Sequence, residues 1–219
     1  MNASLPTPAV GRLHVITDFR VQQRFSHQAL AERALAGGAD SIQFRQKHGT
    51  IRNQLIAAER VQAVCEAANV PLIVNDRLDI ALGVDARGLH VGQEDLPVSV
   101  ARRVLGPAPI LGASASTIAE AQAAASAGAT YIGFGPIYPT QSKANAGATQ
   151  GLDRLRQCCA AVSCPVIAIG GITHRRVQPV IEAGAYGVAV LSGVAAAPNP
   201  RRAARRFRLA LDAALDAAL

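Results

Sequence analysis

Short apolar runs rich in β-branched residues alternate along the chain with longer alanine-rich segments. Each run has the length of a β-strand that is buried on both faces of a sheet. The runs cover residues 13–17, 41–45, 72–75, 88–92, 110–114, 131–135, 166–170 and 187–191. Eight buried strands of similar length predict a parallel sheet.

The segments between the runs carry apolar residues at helical spacing, with charged residues on the opposite side. The clearest of them cover residues 26–36, 51–68, 117–127, 152–162 and 175–183. Strands that alternate with such helices predict an α/β protein built as a TIM (β/α)8 barrel. A doubly wound open sheet is the competing fold, and it is disfavoured because no G-x-G-x-x-G motif follows the first strand.

The length of the chain suits a single domain. It has 219 residues, half of them hydrophobic, and we expect one barrel domain over residues 1–219. Residues 1–11, which include Pro6 and Pro8, are predicted to form a flexible N-terminal extension without the features of a signal peptide. No apolar stretch approaches the ~20 residues of a membrane span. These features predict a cytoplasmic protein without membrane contacts.

The cysteines and the basic residues restrict the partners of the protein. The four cysteines lack the spacing of a zinc site, so we expect reduced and mostly packed thiols at Cys65, Cys158, Cys159 and Cys164. The net charge is +7, and much of the excess lies near the C-terminus at Arg201, Arg202, Arg205, Arg206 and Arg208. Because Phe207 is the only aromatic residue within that run, a solvated helix face is favoured over nucleic-acid binding.

In a barrel, functional groups lie at the carboxyl ends of the strands. After the second strand, alternation places Gln43, Arg45 and Lys47 on one side of the chain, where two cations suit a phosphate or diphosphate. Asp76 after the third strand and Asp95 after the fourth can share Mg2+. Two alternatives stay open: an internal layer of salt bridges, and a helix-capping role for Asp76.

The second half of the chain offers further phosphate-binding features. A loop over residues 135–143 carries hydroxyl groups and Lys143, and the flexible stretch 144–149 can act as a lid, although a proline-stiffened loop is the alternative. Glycines follow the seventh strand at Gly170 and Gly171 and the eighth at Gly193, and bare backbone amides there suit a phosphate group. Two phosphate-binding regions on one rim suit two phosphorylated substrates.

Five motifs occur in the order found in thiamine phosphate synthases, and the chain resembles that family from about residue 13 to residue 192. The Gly-Gly-Ile motif is shared by many phosphate-binding barrels, whereas all five in order are specific. The motifs are Gln43-Phe44-Arg45-Gln46-Lys47, Asn75-Asp76, Gly92-Gln93-Glu94-Asp95, residues 135–143 (GPIYPTQSK) and Gly170-Gly171-Ile172.

The resemblance implies a reaction and a set of site residues. Family members join an aminopyrimidine diphosphate to a thiazole phosphate, or to its carboxylated form, with Mg2+ and release of pyrophosphate through a pyrimidine-methyl cation. The implied metal ligands are Asp76 and Asp95, and the implied catalytic residues are Arg45, Lys47, Ser114 and Lys143. The implied substrate-binding residues are, for the pyrimidine diphosphate, Gln43, Phe44, Arg45, Gln46, Lys47, Asn75, Ser114 and Lys143, and, for the thiazole phosphate, Thr140, Gln141, Ser142, Gly171, Leu191 and Ser192.

Two departures from the family pattern bear on the rival functions. Ser116 stands where many relatives carry His, and Ser142 stands where Thr is frequent but keeps the hydroxyl. A related thiazole tautomerase is expected to use that His as a base, which Ser116 cannot replace at neutral pH. A non-catalytic barrel that binds a phosphorylated ligand is the other alternative. His14 and His90 are interpreted as packed or hydrogen-bonded histidines, and a homo-oligomer stays open.

Overall fold

The computed structural model describes residues 10–142 and 147–217, and within them eight parallel strands close a barrel in sequence order. Each strand ends within one residue of the apolar run that predicts it. The strands are β1 (Leu13–Thr17), β2 (Ser41–Phe44), β3 (Leu72–Asn75), β4 (Gly88–Val91), β5 (Ile110–Ala115), β6 (Tyr131–Phe134), β7 (Val166–Ile169) and β8 (Gly187–Val190).

Helices connect successive strands, so the predicted (β/α)8 barrel is confirmed. The α-helices are α1 (His27–Leu35), α2 (Ile51–Ala67), α3 (Leu78–Gly83), α4 (Val98–Leu105), α5 (Ile118–Ser126), α6 (Gly151–Ala161), α7 (Val177–Glu182), α8 (Ser192–Ala195) and α9 (Pro200–Asp216). None of the helices in the described ranges is long and apolar enough to cross a membrane.

Polar side chains determine where several helices begin. The Ser26 hydroxyl accepts a hydrogen bond from the backbone N–H of Ala29 at 3.1 Å and starts α1. Thr117 accepts one from the N–H of Glu120 at 3.2 Å and starts α5. Each such cap satisfies an otherwise open N–H group and stabilises its helix by about 1 kcal/mol.

The strand residues form two apolar layers. Leu13, Val15 and their counterparts point outward and pack under the helices, while Ile16, Ile73 and Ile110 fill the barrel interior. This alternation follows from the two-residue period of a strand. The interior is a packed core, and access for a ligand is therefore confined to the barrel ends.

Part of the predicted N-terminal extension lies outside the described residues, namely residues 1–9. Val10 is buried in the interior cluster, and the Gly11 carbonyl lies 2.8 Å from Nε2 of His14. Burial lowers the pKa of His14. The described end of this segment thus packs against the amino-terminal end of the barrel, and His14 is the hydrogen-bonded core histidine that the sequence predicts.

The arginine-rich C-terminal segment forms α9, which packs against α1 and α7. Arg208 is half-buried and donates to Asp40 at 3.0 Å, while its other guanidinium nitrogen contacts Asp212 at 2.5 Å. Asp40 also accepts the N–H of Leu13 at 2.7 Å. Arg208 therefore anchors α9 to the barrel, whereas the remaining members of the run face solvent: Arg201, Arg202, Arg205 and Arg206.

Candidate active site

Charged side chains from neighbouring strand ends meet at the carboxyl-terminal rim of the barrel. Lys47, which follows β2, pairs with Asp76, which follows β3, with 2.7 Å between Nζ and Oδ2. Asp95, in the loop after β4, is hydrogen-bonded to Asp76. The structure therefore brings together one predicted phosphate-binding cation and both predicted metal ligands.

The two carboxylates are arranged as a pair that favours a cation. Burial raises the pKa of Asp95, and the hydrogen bond and the negative charge of Asp76 raise it further. Asp95 is held in place because its Oδ2 accepts the N–H of Gly92 at 2.7 Å. Within residues 10–142 and 147–217 no group of three or more His, Cys, Asp or Glu could hold a metal alone. Two carboxylates completed by water and substrate phosphate suit Mg2+.

Asp76 lies in an unusual backbone conformation. Its φ is +64°, in the left-handed region that non-glycine residues seldom occupy. Its N–H donates to the His90 carbonyl at 2.8 Å, and the Arg77 N–H donates to the Asn75 carbonyl at 2.8 Å across it. Arg77, and not Asp76, is the N-cap of α3, and no side chain caps that helix. The helix-capping interpretation of Asp76 is therefore wrong, and the turn instead directs its carboxylate to the rim.

The second predicted cation, Arg45, is paired with a residue that the sequence analysis did not single out. Its Nη1 donates to Oδ2 of Asp18, which directly follows β1. Asp18 is 2% exposed and Arg45 14%, whereas Lys47 is 41% exposed. Both cations thus pair with acids of neighbouring strands, as the salt-bridge alternative predicts, but the pairs lie at the open rim where a ligand can reach Lys47.

The other residues of the Gln43–Lys47 motif lie on different sides of the strand. Gln43 is buried in the interior and hydrogen-bonded to Tyr131. The Phe44 side chain packs in the outer layer against His27, so only its backbone is available to a ligand at the rim. Gln46 donates to the His48 carbonyl at 3.0 Å and lines a cavity of about 300 Å³ beside α1 and α2.

Ser114, at the end of β5, belongs to a polar chain that extends into the barrel. Its hydroxyl lies 2.9 Å from Nε2 of His90, and Nδ1 of His90 lies 2.9 Å from the Tyr131 hydroxyl. Burial raises the pKa of Tyr131, which therefore stays neutral. A Cβ on Gly112 would lie 2.2 Å from Cζ of Tyr131 and 2.4 Å from Nδ1 of His90. Glycine at position 112 makes this chain sterically feasible.

Ser116 has a structural contact where many family members carry a histidine. Its hydroxyl donates to Oε2 of Glu120 at 3.0 Å, and its N–H donates to the same oxygen at 2.7 Å. Glu120 is the third residue of α5 and completes the capping box with Thr117. Ser116 therefore supports the start of α5 and offers no base to a substrate.

Two consecutive glycines after β7 allow two loops to approach closely. Gly170 and Gly171 have φ values of +96° and +63°. A Cβ on Gly170 would lie 2.5 Å from Cβ of Pro136, and one on Gly171 would lie 2.5 Å from the Pro139 carbonyl. Only glycine fits this approach of the loops after β6 and β7. Gly170 and Gly171 therefore leave no side chain between these two loops.

Hydroxyl groups of the loop after β6 reach the end of β8. The Ser142 hydroxyl donates to the Ser192 hydroxyl at 2.9 Å, and the Ser142 N–H donates to Oγ1 of Thr140 at 3.2 Å. Gln141 is exposed, and Leu191 packs on the interior cluster. Lys143 and residues 144–146 of the predicted lid lie outside the described residues. The predicted hydroxyl groups of this half thus converge on one point of the rim.

Asp18 and His90 are the rim residues that sequence reasoning missed as part of the site. Asp18 directly follows the first apolar run, and this position after a predicted strand is a signal that could have identified it as a site residue. His90 lies within the fourth run, and no local signal distinguishes it from a core histidine. Its place beside Ser114 depends on the register of β4 and β5, which pairs His90 with Gly112.

Comparisons with known proteins agree with this geometry. A family model described as thiamine monophosphate synthase matches residues 13–194. The chain is similar to the thiamine-phosphate synthase of Salinibacter ruber, at 56% identity over 94% of this chain and 91% of that protein. It is similar to the thiamine-phosphate synthase of Chloroflexus aurantiacus, at 45% identity over 95% of this chain and 96% of that protein.

A solved structure shares both fold and sequence with the chain. Thiamine phosphate pyrophosphorylase from Pyrococcus furiosus superimposes with a TM-score of 0.85 at 35% identity, over 93% of this chain and 96% of that chain. The likeness spans nearly the full barrel, including the rim that carries Lys47, Asp76 and Asp95.

Proposed function

The chain belongs to the thiamine monophosphate synthase family and is a thiamine-phosphate synthase, a transferase of thiamine biosynthesis, and we propose that its rim binds an aminopyrimidine diphosphate and a thiazole phosphate in adjacent halves. The single observation that carries this assignment is the cluster of Lys47, Asp76 and Asp95 beside Arg45. Pyrophosphate leaves from this cluster first, and the thiazole nitrogen then bonds to the pyrimidine methylene carbon.

The first half of the rim binds the diphosphate. Asp76 and Asp95 would hold Mg2+, because their paired carboxylates have the donor chemistry that this ion prefers. Bound Mg2+ would neutralise charge on the diphosphate and on the departing pyrophosphate. Lys47 is 41% exposed and pairs with Asp76 at 2.7 Å, and its ammonium group would move from Asp76 to a phosphate oxygen. Arg45 donates its free N–H groups to the same leaving group, and the family resemblance implies that Asn75 and Lys143 also bind it.

The main requirement of this reaction is neutralisation of negative charge on the departing pyrophosphate. Cleavage of the carbon–oxygen bond leaves a pyrimidine-methyl cation and places the electron pair on pyrophosphate. Preorganised cations stabilise that charge without needing a strong base. Ser114, which is oriented by His90, and Gln43 hold the pyrimidine ring above the packed interior. Exclusion of water by the loop after β6 protects the cation until the thiazole nitrogen attacks.

The second half of the rim binds the thiazole phosphate. Ser142 and Ser192 meet at 2.9 Å, and the backbone beside them is bare at Gly171. Hydroxyl and backbone N–H donors of this kind suit a phosphate monoester. Thr140 and Gln141 lie on the loop that reaches over this point, and Leu191 forms its apolar floor.

The rival functions fit the site less well. A tautomerase needs a base near the thiazole, but Ser116 is engaged with Glu120 and both ring nitrogens of His90 have hydrogen-bond partners. A barrel that only binds a phosphorylated ligand gives no reason for the Asp76–Asp95 pair. We also infer a cytoplasmic location and small-molecule partners without nucleic acid, supported by the free cysteines and by the solvent-facing arginines of α9, where the aromatic residue within the run, Phe207, is buried.

The assignment is tested by turnover. Purified protein is mixed with the aminopyrimidine diphosphate, the thiazole phosphate and Mg2+, and thiamine phosphate and pyrophosphate are both measured. We expect equal amounts of the two products, loss of both with a chelator, and at least a hundredfold lower rate for Asp95→Asn. Asp153→Asn is the matched control, because Asp153 is 92% exposed on α6, where its carboxylate pairs with Arg156. Undiminished turnover without metal would overturn the metal assignment.

A further inference from the structure

Asp18 is a buried carboxylate that the proposed reaction does not use. It directly follows β1, and 2% of its side chain is exposed. Its Oδ1 accepts the N–H of Arg20 at 2.8 Å. Its carbonyl oxygen accepts the N–H groups of Val21 and Gln22 at 3.2 and 3.3 Å. These bonds fix the carboxylate in one orientation at the rim.

The second carboxylate oxygen holds Arg45. Asp18 Oδ2 accepts a hydrogen bond from Nη1 of Arg45, and the Arg45 N–H donates to the Thr17 carbonyl at 3.1 Å. Both the backbone and the guanidinium of Arg45 are thus anchored at the end of β1. Among the described residues, the side-chain hydrogen bonds of Arg45 use Nη1 alone. A guanidinium has five N–H donors, so the others are available to a ligand.

Arg45 is the cationic partner of the buried Asp18 carboxylate. His27 also interacts with the charge of Asp18, but its ring packs on Phe44 and its Nδ1 lies 2.7 Å from Oγ1 of Thr17. Burial lowers the pKa of His27 to about 4 even though the negative charge of Asp18 opposes the shift. His27 is therefore neutral near pH 7, and Asp18 and Arg45 form a matched pair.

We propose that Asp18 is a positioning residue that orients Arg45 toward the diphosphate, an inference that rests on the proposed role of Arg45. A free arginine side chain has many rotamers, and a ligand that binds it must restrict them. Asp18 restricts them beforehand and occupies one nitrogen, so the remaining N–H groups face the rim. Preorganisation of this kind increases affinity for the charged group without a contact from Asp18 itself.

The test measures binding of inorganic pyrophosphate with Mg2+ by titration calorimetry, so that the result does not depend on turnover. The variants are Asp18→Asn, Arg45→Gln and the double variant, with circular dichroism and melting temperature recorded for each. Asp18→Asn keeps an oxygen for the Arg20 N–H but removes the charge. Asp40→Asn is the matched control, because Asp40 pairs with Arg208 at the opposite end of the barrel. Asp18→Glu serves if Asp18→Asn does not fold.

We expect Asp18→Asn to raise the Kd of pyrophosphate roughly tenfold and Asp18→Glu to raise it less, as for a misplaced binding group. The double variant should match Arg45→Gln within about twofold, since Asp18 acts through Arg45. Asp40→Asn should leave the Kd unchanged. An unchanged Kd in Asp18→Asn, or losses that add in the double variant, would overturn the positioning role alone. An unchanged Kd in Arg45→Gln would overturn the proposed role of Arg45 as well.

Discussion

The hydroxyl of Ser114 lies 2.9 Å from Nε2 of His90, and this contact joins the rim to the barrel interior. His90 in turn contacts the Tyr131 hydroxyl, and Tyr131 is hydrogen-bonded to Gln43. All three supporting side chains are buried. The orientation of Ser114 therefore depends on residues that lie beneath it.

His90→Leu should lower kcat more than it changes KM for either substrate. The substitution removes the partner of the Ser114 hydroxyl and leaves the Tyr131 hydroxyl buried without it, so we expect roughly a tenfold or larger loss of kcat. Steady-state kinetics check this. Ser116→Ala is the control, because it removes a hydroxyl two residues from Ser114 that contacts only Glu120. Equal losses in the two variants would contradict a specific role for His90.

Gly112→Ala should destabilise the barrel by about 3 kcal/mol, as for an overpacked core. The added Cβ would lie 2.2 Å from Cζ of Tyr131 and 2.4 Å from Nδ1 of His90, and both rings are buried. Urea unfolding measures the change. Gly83→Ala is the comparison, because its Cβ would meet only the flexible end of Leu55 at 3.0 Å and alanine favours the helix. A neutral Gly112→Ala would mean that the interior repacks.

The sequence predicts the strands closely because each is a run of buried residues with a distinct composition. All eight end within one residue of their predicted limits, and a polar residue or a glycine directly follows every strand except β8, which Leu191 follows. Arg45, Asp76 and Asp95 could likewise be recognised from their places after predicted strands. These are local signals, and the barrel converts them into a common location at one rim.

The contacts between rim residues could not be predicted in the same way. The pairing of Asp18 with Arg45 spans 27 positions in the chain, and that of Ser142 with Ser192 spans 50. Such contacts depend on strand order and register, which no single segment encodes. The orientation of Phe44 could not be predicted either. It lies within a predicted binding motif, but its side chain packs in the outer layer.

Arg208→Ala should lower the free energy of unfolding by about 2 kcal/mol, because it leaves Asp40 without its half-buried partner. Arg206→Ala should change the free energy of unfolding by less than about 0.5 kcal/mol, since its side chain faces solvent. Thermal and urea unfolding check both, and turnover of Arg206→Ala should equal that of the unmodified protein. A matching loss of stability in Arg206→Ala would refute the anchoring role assigned to Arg208.

Asp95→Asn should stabilise the metal-free protein near pH 7 while it removes activity. The pKa of Asp95 is raised in the folded state, by burial first and by Asp76 second. A carboxyl group with a raised pKa contributes its stability below its unfolded pKa and loses it as pH rises through the folded pKa. The ionised Asp76–Asp95 pair therefore destabilises the folded protein near pH 7. Asp95→Asn should raise the free energy of unfolding by about 0.5 kcal/mol after allowance for solvent screening.

The pH and metal dependence of that gain identify its cause. The difference between the two proteins should vanish as pH falls, because a protonated Asp95 carboxyl group, like asparagine, carries no charge. Mg2+ with pyrophosphate should reverse the order near pH 7, because a ligand at a hundred times its Kd stabilises by about 2.7 kcal/mol and Asp95→Asn weakens that site. Melting temperatures with and without the two ligands measure both effects, with Asp153→Asn as the control. If Mg2+ with pyrophosphate raised the melting temperature of Asp95→Asn as much as that of the unmodified protein, Asp95 would not be a metal ligand.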